Sequence, residues 1–344
     1  MVHIWVQLKK RKILNYNMKK AFITGIGGQD GSYLSEYLLN KNYQVYGIIR
    51  RNSVVEHQKN RIEDFNINKK IDLAYGDVED RSCLDNLLKK IKPNEIYNLA
   101  AQSHVRISFD IPEYTIKTNA LGVFNMLEAF RLNSPKAKFY QASSSEMFGI
   151  SVDKNGYQRE TTKFEPTSPY GCAKVFAFNL VKHYRFAYKL FCSNGILFNH
   201  ESPRRGANFV TNKVIKTAVE IKLGLKKKLY LGNLDAFRDW GHSKDYVKAM
   251  HLILKHNKAD DFVIASGHTR SIRQLCKVVF DNLNLDYRKY VRQQKKFLRP
   301  EELKYLKGDA SKARKILKWK PEINFEQMVG EMIEFWMNYY KKKK

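Results

Sequence analysis

Nowhere in the 344 residues does an apolar run reach the roughly 18 positions needed to span a bilayer, so no membrane partner is expected. The first 17 residues are basic and briefly apolar, but they lack the small-residue cleavage site of a secretory signal. Cysteine is scarce. Cys83, Cys172, Cys192 and Cys276 are scattered without metal-ligand spacing, which argues against both a metal centre and a disulfide framework. Free thiols in a reducing, cytoplasmic compartment are the expectation. There is no internal repeat, and no low-complexity segment beyond the terminal lysines. Acids are few: 34 Asp and Glu face 62 Lys and Arg, giving a formal charge of +28. That balance points to an anionic partner. The lysines are spread along the chain without a basic stripe of interleaved aromatics, so a phosphate-rich small molecule fits better than nucleic acid.

What is present is a globular composition, 43% hydrophobic and 13% aromatic. Short apolar runs at residues 20–25, 44–49, 71–75, 95–100 and 138–143 read as strands. Between them "GSYLSEYLLNK", "RSCLDNLLKKI" and "TNALGVFNMLEAFRL" place apolar residues at helical spacing. Strands alternating with helices of this length imply right-handed crossovers and a doubly wound parallel sheet, a Rossmann-type α/β fold. Beyond residue 200 the alternation weakens, and a smaller, mixed C-terminal lobe is expected. The expected division is an appended, unstructured segment over 1–17 and a dinucleotide-binding domain over 18–198 with a return near 236–270. Residues 199–235 and 271–344 would make the substrate lobe. Met18 opens "MKKAFITG", which reads as a natural chain start.

The loop after the first strand is "GIGGQDG", with Gly25, Gly28 and Gly31 at the spacing of a phosphate-binding turn. Glycine there permits a tight turn, close approach of a pyrophosphate, and tight packing of the next helix, whose first amides face the phosphates. The second strand ends in "IIRRNS". Arg50 and Arg51 stand where an NAD-selective site carries an acid, and a guanidinium suits a 2′-phosphate, so NADP is expected. Asp77 follows the third strand, placed to accept from the adenine. The small residues of "LAAQSHV" would let a cofactor pass the fourth strand end.

In "SPYGCAKVFA", Tyr170 and Lys174 lie four apart on one face of a helix start. The ammonium is expected to draw the phenol's pKa down from about 10 toward neutrality. Such a tyrosine can take a hydroxyl proton as hydride leaves the same carbon. With the glycine loop and the serine-bearing "QASSSEMFG" (141–149), these residues resemble the extended short-chain dehydrogenase/reductase family. Within it they resemble the GDP-mannose 4,6-dehydratases, over nearly all of 18–344. The resemblance rests on "GGQDGSYL", "AAQSHV", "FNHESPRRG", "LGNLDAFRDWGH", "LRPEEL" and "GDASKA".

The resemblance implies GDP-mannose as substrate, NADP as cofactor and a homodimer or homotetramer. It implies catalytic roles for Ser144, Glu146, Tyr170 and Lys174. Its cofactor contacts fall on Gly25, Ile26, Gly27, Gly28, Gln29, Asp30 and Gly31, on Arg50, Arg51, Asn52 and Ser53, and on Asp77 and Val78. They continue through Leu99, Ala100, Ala101, Gln102 and Ser103 to Tyr114, Lys174, His200 and Arg205. Asn199, Lys213, Arg238 and Arg299 join Ser144, Glu146 and Tyr170 on the substrate side. Four positions depart from the family pattern: Ser144 and Gly27 each replace a threonine, Phe148 a tyrosine, and Asn212 an arginine. The rival readings are a C4 epimerase or another nucleotide-sugar dehydratase, a non-catalytic NADP sensor, and a polyanion binder. Glu146 argues against the epimerase. Ser145, where the dTDP-glucose enzymes resemble an aspartate, argues against that dehydratase branch.

Overall fold

The computed structural model describes residues 18–50, 60–63, 67, 70–298, 300–301 and 303–343. The N-terminal segment 1–17 and the expected contacts Arg51, Asn52, Ser53 and Arg299 lie outside the described residues. The main sheet is built from β1 (Lys20–Thr24), β2 (Gln44–Ile49), β3 (Ile71–Tyr75), β4 (Glu95–Asn98), β5 (Lys138–Ser144) and β6 (Cys192–Leu197), numbered in chain order. Further along come β7 (Asn199–Glu201), β8 (Leu229–Leu231), β9 (Phe237–His242), β10 (Asp261–Ile264), β11 (Thr269–Ser271) and β12 (Val291–Gln293). The longer helices are α1 (Gln29–Leu39), α2 (Arg81–Ile91), α3 (Gly122–Asn133) and α4 (Pro169–Ala187). They continue with α5 (Val210–Lys222), α6 (Ser243–Lys255), α7 (Ile272–Asn282) and α8 (Phe325–Lys341).

Seven strands form one sheet in the order β10-β6-β5-β4-β1-β2-β3, and every pairing is parallel. The order reverses between β1 and β4, the switch point at which doubly wound sheets bind ligands. A parallel sheet is covered on both faces, and the strand period of two divides its side chains between two cores. In β1, Ala21 and Ile23 pack with α1 and α6, while Phe22 packs with α2, α3 and α4. β10 reaches the edge of this sheet by pairing with β6, and residues 303–319 place Leu306, Ala313 and Trp319 in the α1/α6 core.

A third core joins α5, α7 and α8 to β8 and β12. A mixed three-stranded sheet lies beside it, in which β9 runs antiparallel to β11 and parallel to β7. The expected α/β fold with a smaller mixed lobe is what is found. Three strand ends differ from the expected ones, β5 running one residue further, to Ser144. β1 stops at Thr24, because Gly25 turns away with φ +69°. β4 stops at Asn98, because the next two amides, of Leu99 and Ala100, leave the ladder to donate to Thr24 Oγ1, both at 3.1 Å. Among the described residues no helix is long and apolar enough to cross a membrane, and the four cysteines are free thiols.

Candidate active site

At the switch point the glycine loop is fixed by what a side chain would strike. A Cβ on Gly25 would stand 2.8 Å from the Ala100 nitrogen, and one on Gly31 would stand 2.4 Å from the Gly25 carbonyl oxygen. The Gly28 amide closes the turn on Gly25 O at 2.9 Å, and Gly28, the cap residue of α1, has no side chain to bond the first turn. Its amides are left for an anion, as a pyrophosphate-binding turn requires. The loop is braced by side chains the sequence reading missed. Thr24 Oγ1 donates to Asn98 Oδ1 at 2.6 Å, and Asn98 Nδ2 to Gln141 Oε1 at 2.8 Å. Arg61 reaches Gly27 O at 3.2 Å and Arg204 O at 2.7 Å. Gln141 opens the serine-bearing stretch, but Thr24, Asn98 and Arg61 carry no motif role, and the contacts among these residues are revealed only by the fold.

Along the strand ends, Arg50 leaves β2 and its guanidinium donates to the Tyr114 hydroxyl. Asp77 follows β3, where its Oδ1 accepts from the Glu79 amide at 3.0 Å, and Val78 is buried beside it. Gln102 is held by Asn119, which accepts from its amide at 2.8 Å and donates to its carbonyl at 2.9 Å. Asn119 sits in a π-helical turn, Lys117–Leu121, that runs directly into α3.

A cavity of about 810 Å³ opens beyond these strand ends, and Ser144, Glu146, Tyr170 and Lys174 all line it. It also takes in Leu99, Ala101, Ser103, Asn199, Lys213 and Arg238. Ser144 ends β5, and its Oγ accepts the Glu146 amide at 3.3 Å, which starts a short turn over Ser145–Met147. Helix α4 begins at Pro169 with Ser168 as its cap, accepting from the Gly171 amide at 3.0 Å. A cap of this kind is worth about 1 kcal/mol. Gly171 lets that helix lie against the Glu146 turn, since a Cβ there would be 2.9 Å from Glu146 O.

The electrostatics correct one expectation. The Tyr170 phenol is not drawn toward neutrality. Burial pushes it up to about 12, against the opposing pull of the Ser144 hydrogen bond and Arg205. Lys174 is itself pushed down to about 8 by burial. Its ammonium donates to Ala142 O at 2.8 Å and stands 5.7 Å from the Tyr170 ring centre. A desolvated ammonium engaged with a carbonyl does not offset the desolvation of the phenol.

A partly buried charge cluster forms another wall. His200 Nε2 meets Asp30 Oδ2 at 2.8 Å, and Arg205 pairs with Glu201 at 3.0 Å. Burial would raise Asp30, but His200 and Arg205 hold it below its ordinary value; burial would lower His200, but Asp30 holds it above its own. Gln29 ties the same wall, donating to His200 O at 3.1 Å and accepting from Ser202 Oγ at 2.8 Å. The Arg205 guanidinium stacks on Phe209 at 3.6 Å. Asn212, the departure from the family pattern, is fully buried. It donates to Arg205 O at 2.7 Å and accepts from the Trp336 indole at 2.6 Å. Arg238 donates to Phe237 O and Leu303 O, each at 2.8 Å.

A switch-point glycine loop, a Ser–Tyr–Lys group and a mixed C-terminal lobe define an extended short-chain dehydrogenase/reductase fold. The same fold is seen in RMD from Pseudomonas aeruginosa complexed with NADPH, with a TM-score of 0.76 and 22% identity over 93% of this chain and 100% of that one. It recurs in dTDP-glucose 4,6-dehydratase from Bacillus anthracis in complex with NAD, with a TM-score of 0.81 and 21% identity over 94% and 98% of the two chains. The profile of the GDP-mannose 4,6-dehydratase family matches residues 22–332. GDP-mannose 4,6-dehydratase 1 of Arabidopsis thaliana is 47% identical over 334 residues, covering 95% of this chain and 92% of the relative. The chain belongs to the GDP-mannose 4,6-dehydratase family.

Proposed function

We propose that the chain is an NADP-dependent hydro-lyase converting GDP-α-D-mannose to GDP-4-dehydro-6-deoxy-D-mannose and water. The observation that carries this reading is Glu146, two residues beyond Ser144, in the cavity shared with Tyr170, in a chain of the dehydratase family. A hexose C6 hydroxyl is a poor leaving group and the C5 proton is barely acidic, so C4 must become a ketone first. A nicotinamide dinucleotide supplies, when bound, the reversible hydride storage that oxidises C4 first and reduces C6 last with no net redox change.

The chain's residues do the remaining work. Tyr170 takes the O4 proton, and Ser144, hydrogen-bonded to Tyr170, steadies the charge developing on O4. Glu146 then takes the C5 proton and passes a proton to the departing C6 hydroxyl. The C5–H and C6–O bonds break and water leaves. Tyr170 returns a proton to C5. Lys174 and the Ala142 carbonyl fix the edge of the cofactor site beside Tyr170.

The cofactor would be held by Gly25–Gly31, by Leu99–Ser103, and by Lys174, His200 and Arg205. The cradle that added Cβ atoms would fill is the observation that favours this fit. NADP is our choice over NAD because Arg50, exposed at the end of β2 beside Tyr114, offers a guanidinium for a 2′-phosphate. We place the enzyme in the cytoplasm on its free thiols. We assign a homodimer on the helix pair α3 and α4, which exposes Phe124, Leu132, Phe176 and Phe186. The test is incubation of purified protein and NADP with GDP-mannose, watching for a 4-keto product. Turnover of another nucleotide sugar but not of GDP-mannose would overturn the substrate.

A further inference from the structure

Charge is segregated within the cavity. The carboxylates that line it are Asp30, Glu146 and Glu201, all near the reacting residues, with Asp30 paired to His200 and Glu201 to Arg205. Among the described residues, the wall made by α5, β8, the loop between them and the short turn Lys295–Phe297 carries Lys213, Lys216, Lys226 and Lys296, and no lining carboxylate. Like charges converging on one cavity wall cost free energy unless an anion joins them. The half-buried Lys213 records this: its pKa is pushed down by burial and then by Lys296 and Lys226.

The arrangement is built rather than incidental. Glu220, behind the lining, holds Lys226 at 2.7 Å. The turn bearing Lys296 is pinned to β8 by the Gln294 amide on Leu231 O at 2.8 Å and by Gln293 Nε2 on Gly232 O at 3.0 Å. Gly232 is a close approach, since a Cβ there would stand 2.5 Å from Phe297 O. Phe297 is thereby fixed on the cavity wall, 38% exposed, with the Lys213 ammonium 3.7 Å from its ring centre. A ring with open surface beside a group of ammoniums matches a nucleotide: a flat base beside a string of phosphates.

We propose that Lys226, Lys296 and Phe297 form the nucleotide end of the cavity. Lys226 and Lys296 join Lys213 on the diphosphate, and the Phe297 ring stacks against the purine. This rests on the function proposed above and names the residues that select its nucleotide. The sugar-bearing phosphate then points toward Ser144 and Tyr170, and the base toward β8.

The experiment is calorimetric titration of the protein with GDP and with GMP, without turnover. The Lys226→Gln/Lys296→Gln double variant should bind GDP on the order of tenfold more weakly while losing less for GMP, because the second phosphate is what those charges meet. Phe297→Ala should weaken GDP and GMP alike, by roughly fivefold to tenfold, and Phe297→Tyr should restore both. Charge-conserving Lys226→Arg and Lys296→Arg variants should retain GDP binding, which guards against a folding defect in the glutamine variant. GDP affinity within twofold of the parent in the double glutamine variant, or in Phe297→Ala, would overturn the corresponding assignment. A parent protein that shows no GDP affinity would instead strike the function on which the assignment rests.

Discussion

Of the nine residues from Gln141 to Gly149, only Glu146 carries a charge, and the backbone is shaped to present it. Ser144 captures its amide, and Gly171 lets α4 press against its carbonyl. That fixes the acid beside the hydroxyls of Ser144 and Tyr170 without making it part of the hydride step. Glu146→Gln keeps the volume and removes the base. Turnover should fall by about 10²–10⁴, the usual contribution of a positioned general base. GDP affinity should be unchanged, because the nucleotide sits at the other wall. Product assays beside a GDP titration check this, and near-parental turnover would remove Glu146 from proton transfer. The resemblance to the dehydratase family made this residue legible in the sequence, through its place two positions after Ser144. It misled on Tyr170, because the YxxxK pattern encodes proximity to an ammonium but not the burial of both groups.

At the scale of elements, what the sequence hid are contacts between residues far apart in the chain. Strands and glycine turns are written locally, in period-two apolar runs and in positions that need a missing Cβ. Asn212 is different: it read as a departure from the family pattern, yet it bridges α5 to α8 across 124 positions by accepting from Trp336. Replacing it by leucine strands the buried indole N–H and the Arg205 carbonyl. The expected loss is about 2–6 kcal/mol, since each of the two buried unpaired groups costs about 1–3, and denaturant unfolding measures it. The Asp30–His200 pair links α1 to β7 across 170 positions. The raised His200 pKa means its contribution is complete below about 6.5 and fades as pH rises through the higher folded value. The lowered Asp30 pKa means its contribution is complete above about 3.8 and fades only as pH falls below that. Arg205 and Glu201 beside them carry opposite charges and belong to the same cluster. His200→Gln should therefore cost most in thermal midpoint near pH 5–6 and progressively less toward pH 9. A difference that stays constant across that range would deny the pair its ionic character.

For the molecule as a whole, two properties oppose each other. A formal charge of +28 makes copies of the chain repel. Phe124 and Leu132 on α3, with Phe176 and Phe186 on α4, expose apolar rings and chains at 41%, 57%, 47% and 62%, an arrangement that favours burial against a second copy. The attraction is apolar and indifferent to salt, whereas the repulsion is screened within about 10 Å at 0.1 M ionic strength. Self-association should therefore tighten as salt is raised, the reverse of what an ion-paired interface does. Light scattering on the eluting protein should show a dimer whose dissociation at low concentration is suppressed between 50 mM and 500 mM salt, concentrations chosen to shorten the screening length about threefold. A charge placed in that surface, as in Phe124→Asp or Phe186→Glu, should leave a monomer at every salt concentration, with its secondary structure intact by circular dichroism. A parent that stays monomeric throughout, or variants that dimerise as the parent does, would remove the α3/α4 face from assembly. The active-site residues on α4 would then owe their placement to the single chain alone.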